Sequence, residues 1–287
     1  MQGSPWCFFM LGMPCAVGYT TPALAVEATE TIERTFTVEP ADGHRTVRVE
    51  NVLGAIGVTA GKGDEIRLTL VQSWKGADTD ELAKAREAVK LEVKQERGWL
   101  ELKQGGRWRS GEKCRGSWGD ECDHESMDVH FDWMLVVPED VNLALSNVNG
   151  GDIRVSGGNG RLEVKHVNDD VTIDRYAGGV DAFTVNGTLT ATFHAVPRDA
   201  MTFGTVNGPI DLSFPKRFGA ELIVQTVNGE VLTDFPFTLP IGEDDASGRL
   251  ERWFGLGERT RVSIGEGGVP LSCKTVNGDI TLRAKAD

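Results

Sequence analysis

Thr226-Val-Asn-Gly-Glu-Val231 and Thr275-Val-Asn-Gly-Asp-Ile280 are near-identical hexapeptides in one chain, and they decide how the rest is read. Their core, Val-Asn-Gly or a near form of it, begins at Val148, Val167, Val185, Val206, Val227 and Val276, at spacings of 19, 18, 21, 21 and 49 residues. Self-similarity at a nearly fixed period marks a repeat architecture. The final spacing reads as one repeat of about 21 residues plus an insertion of about 28.

The register extends on both sides of the tripeptide. Five residues before each valine stand Leu143, Leu162, Val180, Met201, Leu222 and Leu271, and three before it stand Leu145, Val164, Ala182, Phe203, Val224 and Cys273. Beyond the glycine come Ile153, Val171, Leu189, Ile210, Val231 and Ile280, the first copy carrying one extra glycine. Val155, Ile173, Ala191, Leu212 and Leu282 follow two positions later, while Thr233 breaks that column. Each copy is thus two short period-two strands joined by a glycine corner. Val47 to Val58 is a seventh copy, with Leu53 in place of asparagine.

Asn-Gly between alternating strands is also a hairpin signal, which favours an antiparallel meander. A meander does not require every column to recur, whereas stacking equivalent residues about 4.8 Å apart does. The expected fold is therefore all-β: a single-stranded β-solenoid (β-helix) of about 20 residues per coil, with one short helix and two loop insertions. Asn149, Asn168, Asn186, Asn207, Asn228 and Asn277 are expected to form an amide ladder at its corner. Glycine follows because the corner needs a positive φ. Asp169 replaces it once, and Cys273 reads as a buried structural thiol.

Outside the array, Asp78 followed by Glu81 to Val89 reads as an N-capped helix, and 90–95, 99–103 and 128–137 read as strands. The expected organisation is a signal peptide at 1–25 and a solenoid domain at 26–287. Within the latter, the first coil lies near 45–60, a helix-and-strand insertion at 75–137, and the main array at 139–283, interrupted at 234–268. That last insertion contains Arg249-Leu-Glu-Arg-Trp-Phe-Gly-Leu256 and is expected to cover an open sheet end.

Residues 1–25 carry no charged side chain, Trp6 to Tyr19 is largely apolar, and Ala23-Leu24-Ala25 suits signal peptidase. The apolar run is shorter than the ~20 residues of a membrane span, so none is expected once it is removed. Cleavage there removes Cys7 and Cys15. Cys114 and Cys122 then read as a disulfide clipping the glycine-rich loop 105–126 in an oxidising compartment. A metal site from Cys114, Cys122, His124 and His130 is the alternative, although its spacing matches no standard zinc pattern.

At this point the chain resembles the bacterial putative-adhesin family of β-helical domains, a group of unknown function. The resemblance rests on the two hexapeptides above and on Trp133-Met-Leu-Val-Val-Pro138, and it spans most of residues 32–283. It implies an exported or envelope-associated β-helix. It transfers no catalytic residue.

Composition narrows the function. The chain has 287 residues with 35 glycines, 40% hydrophobic content and a net charge of −13. That hydrophobic content excludes a disordered chain, and the charge disfavours nucleic acid or an anionic membrane surface as partner. No cofactor motif is present. Asp152 and Asp170 would stack on adjacent coils, and glycosidic chemistry needs two carboxylates about 5–9 Å apart. Thr188 and Pro209 interrupt that column, which favours solvated turn residues over catalysis. His166, in a threonine column, is expected to be a surface turn imidazole. Trp118, Trp253 and Phe254 lie in insertions, where packing outweighs ligand stacking. The reading is an exported, non-catalytic structural or interaction module, periplasmic or on the cell surface. It presents loops 105–126 and 234–268 to an envelope protein or glycan. A polysaccharide-active enzyme is the alternative.

Overall fold

The computed structural model describes residues 26–76, 78–106, 128–238 and 260–285. The signal segment expected at 1–25, and Cys114, Cys122, His124, Trp118, Trp253 and Phe254, lie outside them.

The chain opens with β1 (Val26–Thr37), β2 (Thr46–Glu50), β3 (Ile56–Gly61) and β4 (Glu65–Gly76). Helix α1 (Thr79–Ala88) follows, started by Asp78, whose carboxylate accepts the amide N–H groups of Asp80 and Glu81 at 2.9 Å. Next come β5 (Val89–Glu96), β6 (Trp99–Gly106) and β7 (Asp128–Pro138). The repeats then supply paired strands: β8 (Asn142–Asn147) and β9 (Ile153–Ser156), β10 (Leu162–His166) and β11 (Val171–Tyr176), β12 (Val180–Asn186) and β13 (Leu189–Phe193), β14 (Met201–Asn207) and β15 (Ile210–Phe214), β16 (Ala220–Gln225) and β17 (Val231–Thr233). The chain closes with β18 (Phe237–Thr238), β19 (Thr260–Ile264), β20 (Val269–Lys274) and β21 (Ile280–Ala284).

Each repeat gives its first strand to one sheet and its second to the other, turning at the Val-Asn-Gly corner. The ten-stranded sheet runs β1-β4-β7-β3-β9-β11-β13-β15-β21-β17, and the eleven-stranded sheet runs β18-β19-β16-β20-β14-β12-β10-β8-β2-β6-β5. Neighbouring repeats pair parallel and in register. Ile153, Val171, Leu189, Ile210, Ile280 and Val231 follow one another across one sheet. Leu145, Val164, Ala182, Phe203 and Cys273 do so across the other. All of these side chains point between the sheets and are at most 4% exposed, so the repeated columns are the core. Phe193, Phe214 and Phe218 stack there, with centroids 4.8 and 3.8 Å apart.

Chain order and spatial order part company at both ends. The last repeat, β20–β21, lies between β14–β15 and β16–β17 rather than after them. The spacing of 49 therefore does not mark a simple insertion before the next coil. After β17 the chain forms β18 and β19, the latter antiparallel to β16, then crosses β16 to enter the slot on its far side. Gly265, Gly267 and Gly268 make that crossing with positive φ. It passes so close to Gly219 that a Cβ there would stand 2.3 Å from the Gly267 carbonyl oxygen. At the other end, β6 and β7 slide between β2–β3 and the antiparallel strands β5 and β4. The segments expected as a separate insertion thus extend both sheets.

Candidate functional site

The corner is built in three layers, the innermost being polar although it faces the core. The residue just before each corner valine has the same strand parity as the apolar columns, so it turns inward. Asn51, Asn147, His166, Thr184, Thr205, Thr275 and Thr226 occupy this position, and all are at most 3% exposed; Gln104 of β6 is buried beside them. The threonine hydroxyls donate to corner carbonyls one repeat away: Thr226 to Gly278 at 3.2 Å, Thr275 to Gly208 at 3.2 Å, Thr205 to Gly187 at 3.4 Å and Thr184 to Asp169 at 3.4 Å. Asn147 donates to Gly54 and Gly151, and Asn51 to Gly54 and Phe131. Carbonyls freed by a sharp turn are thereby satisfied without water.

His166 corrects the surface reading, since it is 2% exposed. Its Nδ1 lies 3.0 Å from the Asn147 carbonyl, an acceptor, so Nδ1 carries the hydrogen. Its Nε2 is buried without a hydrogen-bond partner. Period-two parity from Leu162 and Val164 would have placed this ring inside.

In the second layer the asparagine side chains run from repeat to repeat. Asn168 donates to Asn149, Asn186 to Asn168 at 2.8 Å, Asn207 to Asn186 at 2.8 Å, Asn277 to Asn207 at 2.7 Å and Asn228 to Asn277 at 2.7 Å. Asn277 thus stands between Asn207 and Asn228, following the spatial order.

The third layer is acidic. Asp152 accepts the Asp170 amide at 3.1 Å and Asp170 accepts the Thr188 amide at 2.7 Å. Asp279 accepts the Glu230 amide and Asp132 the Ala55 amide, each at 2.8 Å. Asp152 is also paired with Arg154. The two carboxylates of the enzyme reading are thus engaged in joining neighbouring repeats. Among the described residues, no group of three or more His, Cys, Asp or Glu is placed to hold a metal ion. His130, the one member of the alternative metal set that is described, pairs with Asp128 at 2.8 Å.

The outer face of the eleven-stranded sheet presents different chemistry. Phe183 is 43% exposed there, set between Lys165 on β10 and Gly204 on β14. A Cβ at Gly204 would lie 2.9 Å from the Phe183 ring, so the missing side chain makes room for it. The shallow hollow around the ring encloses about 280 Å³ and is lined by Lys165, Asp181, Phe183, Thr202, Gly204 and Lys274. It adjoins a second hollow of about 210 Å³ reaching Ser146, Glu50 and Arg48. Where the two meet, Lys165 contacts Glu163 at 2.5 Å, and the hydrogen bond from its ammonium holds the Glu163 carboxyl below its ordinary range. Phe183 is visible in the sequence as the one aromatic in a column otherwise held by Ser146, Lys165, Gly204, Gln225 and Lys274.

No protein-family model matches the chain, and no curated protein matches it. Among solved structures it is similar to a putative cell adhesion protein from Clostridium sporogenes ATCC 15579, at 13% identity over 89% of this chain and 100% of that one, with a TM-score of 0.37. It is also similar to a putative adhesin from Bacteroides fragilis NCTC 9343, at 11% identity over 89% and 97% of the two chains, with a TM-score of 0.29. A putative lipid binding protein from Parabacteroides distasonis ATCC 8503 follows at 10% identity over 89% and 97%, with a TM-score of 0.23. These likenesses are too distant to bear on function.

Proposed function

We propose that this chain is an exported, non-catalytic, adhesin-like β-solenoid of the cell envelope that binds an envelope protein or glycan. One strand per repeat in each sheet, paired parallel and in register, supports the solenoid reading. The observation that carries the function is the contrast between corner and face. Corner carboxylates are engaged by backbone amides, while an aromatic ring stands exposed beside Lys165 and Lys274 on a broad sheet. Such a surface offers stacking and hydrogen bonding without a reacting group. Loops 105–126 and 234–268 extend the binding surface, and a Cys114–Cys122 disulfide clips the first. The asparagine ladder is structural. Export rests on the sequence of residues 1–25.

Binding of the purified protein to a glycan panel and to envelope extract tests the proposal, with Phe183→Ser and deletions confined to 107–127 and to 239–259 as variants, which spare the core residues Phe235, Phe237, Val262 and Ile264. Loss of retained glycan or protein with at least one variant is expected. Unchanged retention by all three overturns it. The enzyme alternative predicts glycan turnover that Asp152→Asn with Asp170→Asn abolishes.

A further inference from the structure

The two sheets end in four strands, and three of those edges are blunted. β17 has three residues and β18 has two. β5 alternates Lys90, Glu92, Lys94 and Glu96 along its length. Short strands and lysines are the usual protection against pairing with another chain. β1 has neither. It runs for 12 residues, pairs with β4 at every one of them, and contains no Lys, Pro or Gly. Its outer edge has no strand beside it among the described residues. Ala28, Ile32 and Phe36 form a half-buried stripe along it, packed on the core.

We propose that β1 is a dimer interface, pairing antiparallel with β1 of a second copy with Ile32 on the two-fold axis. A self-paired edge must join residues that face the same side and turn their amides the same way, so each pair sums to an even number. Of these registers, the one centred on Ile32 sets Glu30 against Arg34 of the other copy twice over, Ala28 against Phe36, and Thr29 against Thr35. Centring on Glu30, Glu33 or Arg34 puts like charges face to face, and centring on Thr31 forms no ion pair. Arg34 is exposed and makes no ion pair among the described residues. Glu30 meets Arg86 of α1 at 3.0 Å, yet its side chain stays 49% exposed and so remains open to an incoming guanidinium. The occupant is thus a second copy, selected by charge and by continuation of the apolar stripe.

Sedimentation of the purified protein is expected to show a dimer. Arg34→Glu and Glu30→Arg should each weaken self-association by about thirtyfold, from two lost pairs and two new repulsions. Mixing the two variants should restore dimers, because the carboxylate introduced at position 34 of one chain then faces the guanidinium introduced at position 30 of the other. Ile32→Cys, in the otherwise native sequence, should form an intermolecular 32–32 disulfide on oxidation, since opposed strand residues lie within disulfide reach. Thr31→Cys, whose partner is Glu33, should not. A monomeric wild-type protein overturns the proposal. So does a dimer insensitive to both charge reversals, or one in which position 32 fails to cross-link.

Discussion

The middle of the array and its two ends obey different rules. From β8 to β15 each repeat settles on the one just made, and position in the chain equals position in space. At the ends a later pair of strands enters between earlier ones: β6–β7 beside the first repeat, and β20–β21 beneath β16–β17. The apolar columns are the same in both regions. The repeated motif therefore specifies the shape of a layer and leaves its address to the segments around it. The glycine crossing at Gly265–Gly268 and the antiparallel strands β4, β5 and β19 supply that address.

The largest test of this difference is removal of the inserted layer. Truncation before Thr260 takes away Leu271, Cys273, Ile280 and Leu282, each fully or almost fully buried. Burial of such side chains contributes about 1.5–3 kcal/mol apiece, and a domain's net stability is about 5–15 kcal/mol. Loss of the cooperative melt by circular dichroism is expected. A peptide covering 260–287, added in trans, should restore it if the slot is preformed.

A smaller effect is expected at the crossing. Gly219→Ala would force a Cβ against the Gly267 carbonyl and should cost about 3 kcal/mol in urea unfolding. Gly43→Ala, with nothing within 4 Å, should cost about 1 kcal/mol for its positive φ alone. Equal costs would mean that the crossing yields to a methyl group. Next come the buried hydroxyls. Thr205→Val in the middle and Thr275→Val in the inserted layer should each cost about 1–2 kcal/mol, since a corner carbonyl loses its donor. A difference between them would show that the inserted layer is held less tightly.

The pH response gives the finest comparison. Burial pushes the Cys273 thiol up, so its neutral form belongs to the folded state. Stability is present below the ordinary thiol range and falls by about 1.4 kcal/mol per pH unit above about 8.5, where only the unfolded chain ionises. Cys273→Val should remove that alkaline loss from the melting curve. Glu163 has the opposite sign: its depressed carboxyl stabilises at neutral pH and loses its contribution as pH falls through its folded value. Its side chain is 45% exposed and screened by solvent, so Glu163→Gln should shift the melting temperature barely at all.

Much of the fold was legible because parity and spacing are local. Leu145, Val164 and Phe203 announce an inward column, and the asparagines announce one corner. The layer order was not legible, because Leu271 suits the slot beside Met201 as well as one beyond Leu222; the choice rests on a long-range backbone crossing. β6 and β7 carry no Val-Asn-Gly between them, so nothing marked them as a layer. His166 was misplaced by treating the corner as surface. The parity of Leu162 and Val164 contradicted that. Phe183 stands out in its column as an aromatic, but its accessibility was not legible: it depends on Gly204, a residue about twenty positions away whose missing side chain matters only once the strands are paired.

The displaced last layer also imposes a schedule. Chains are made from the N-terminus, and early segments fold as they emerge. Here β16–β17 cannot take its final neighbour until Ala284 has been synthesised, because the intervening position belongs to β20–β21, made after it. The molecule is built like an arch whose keystone is cut after the stones on either side of it, and it stays open until β21 has emerged.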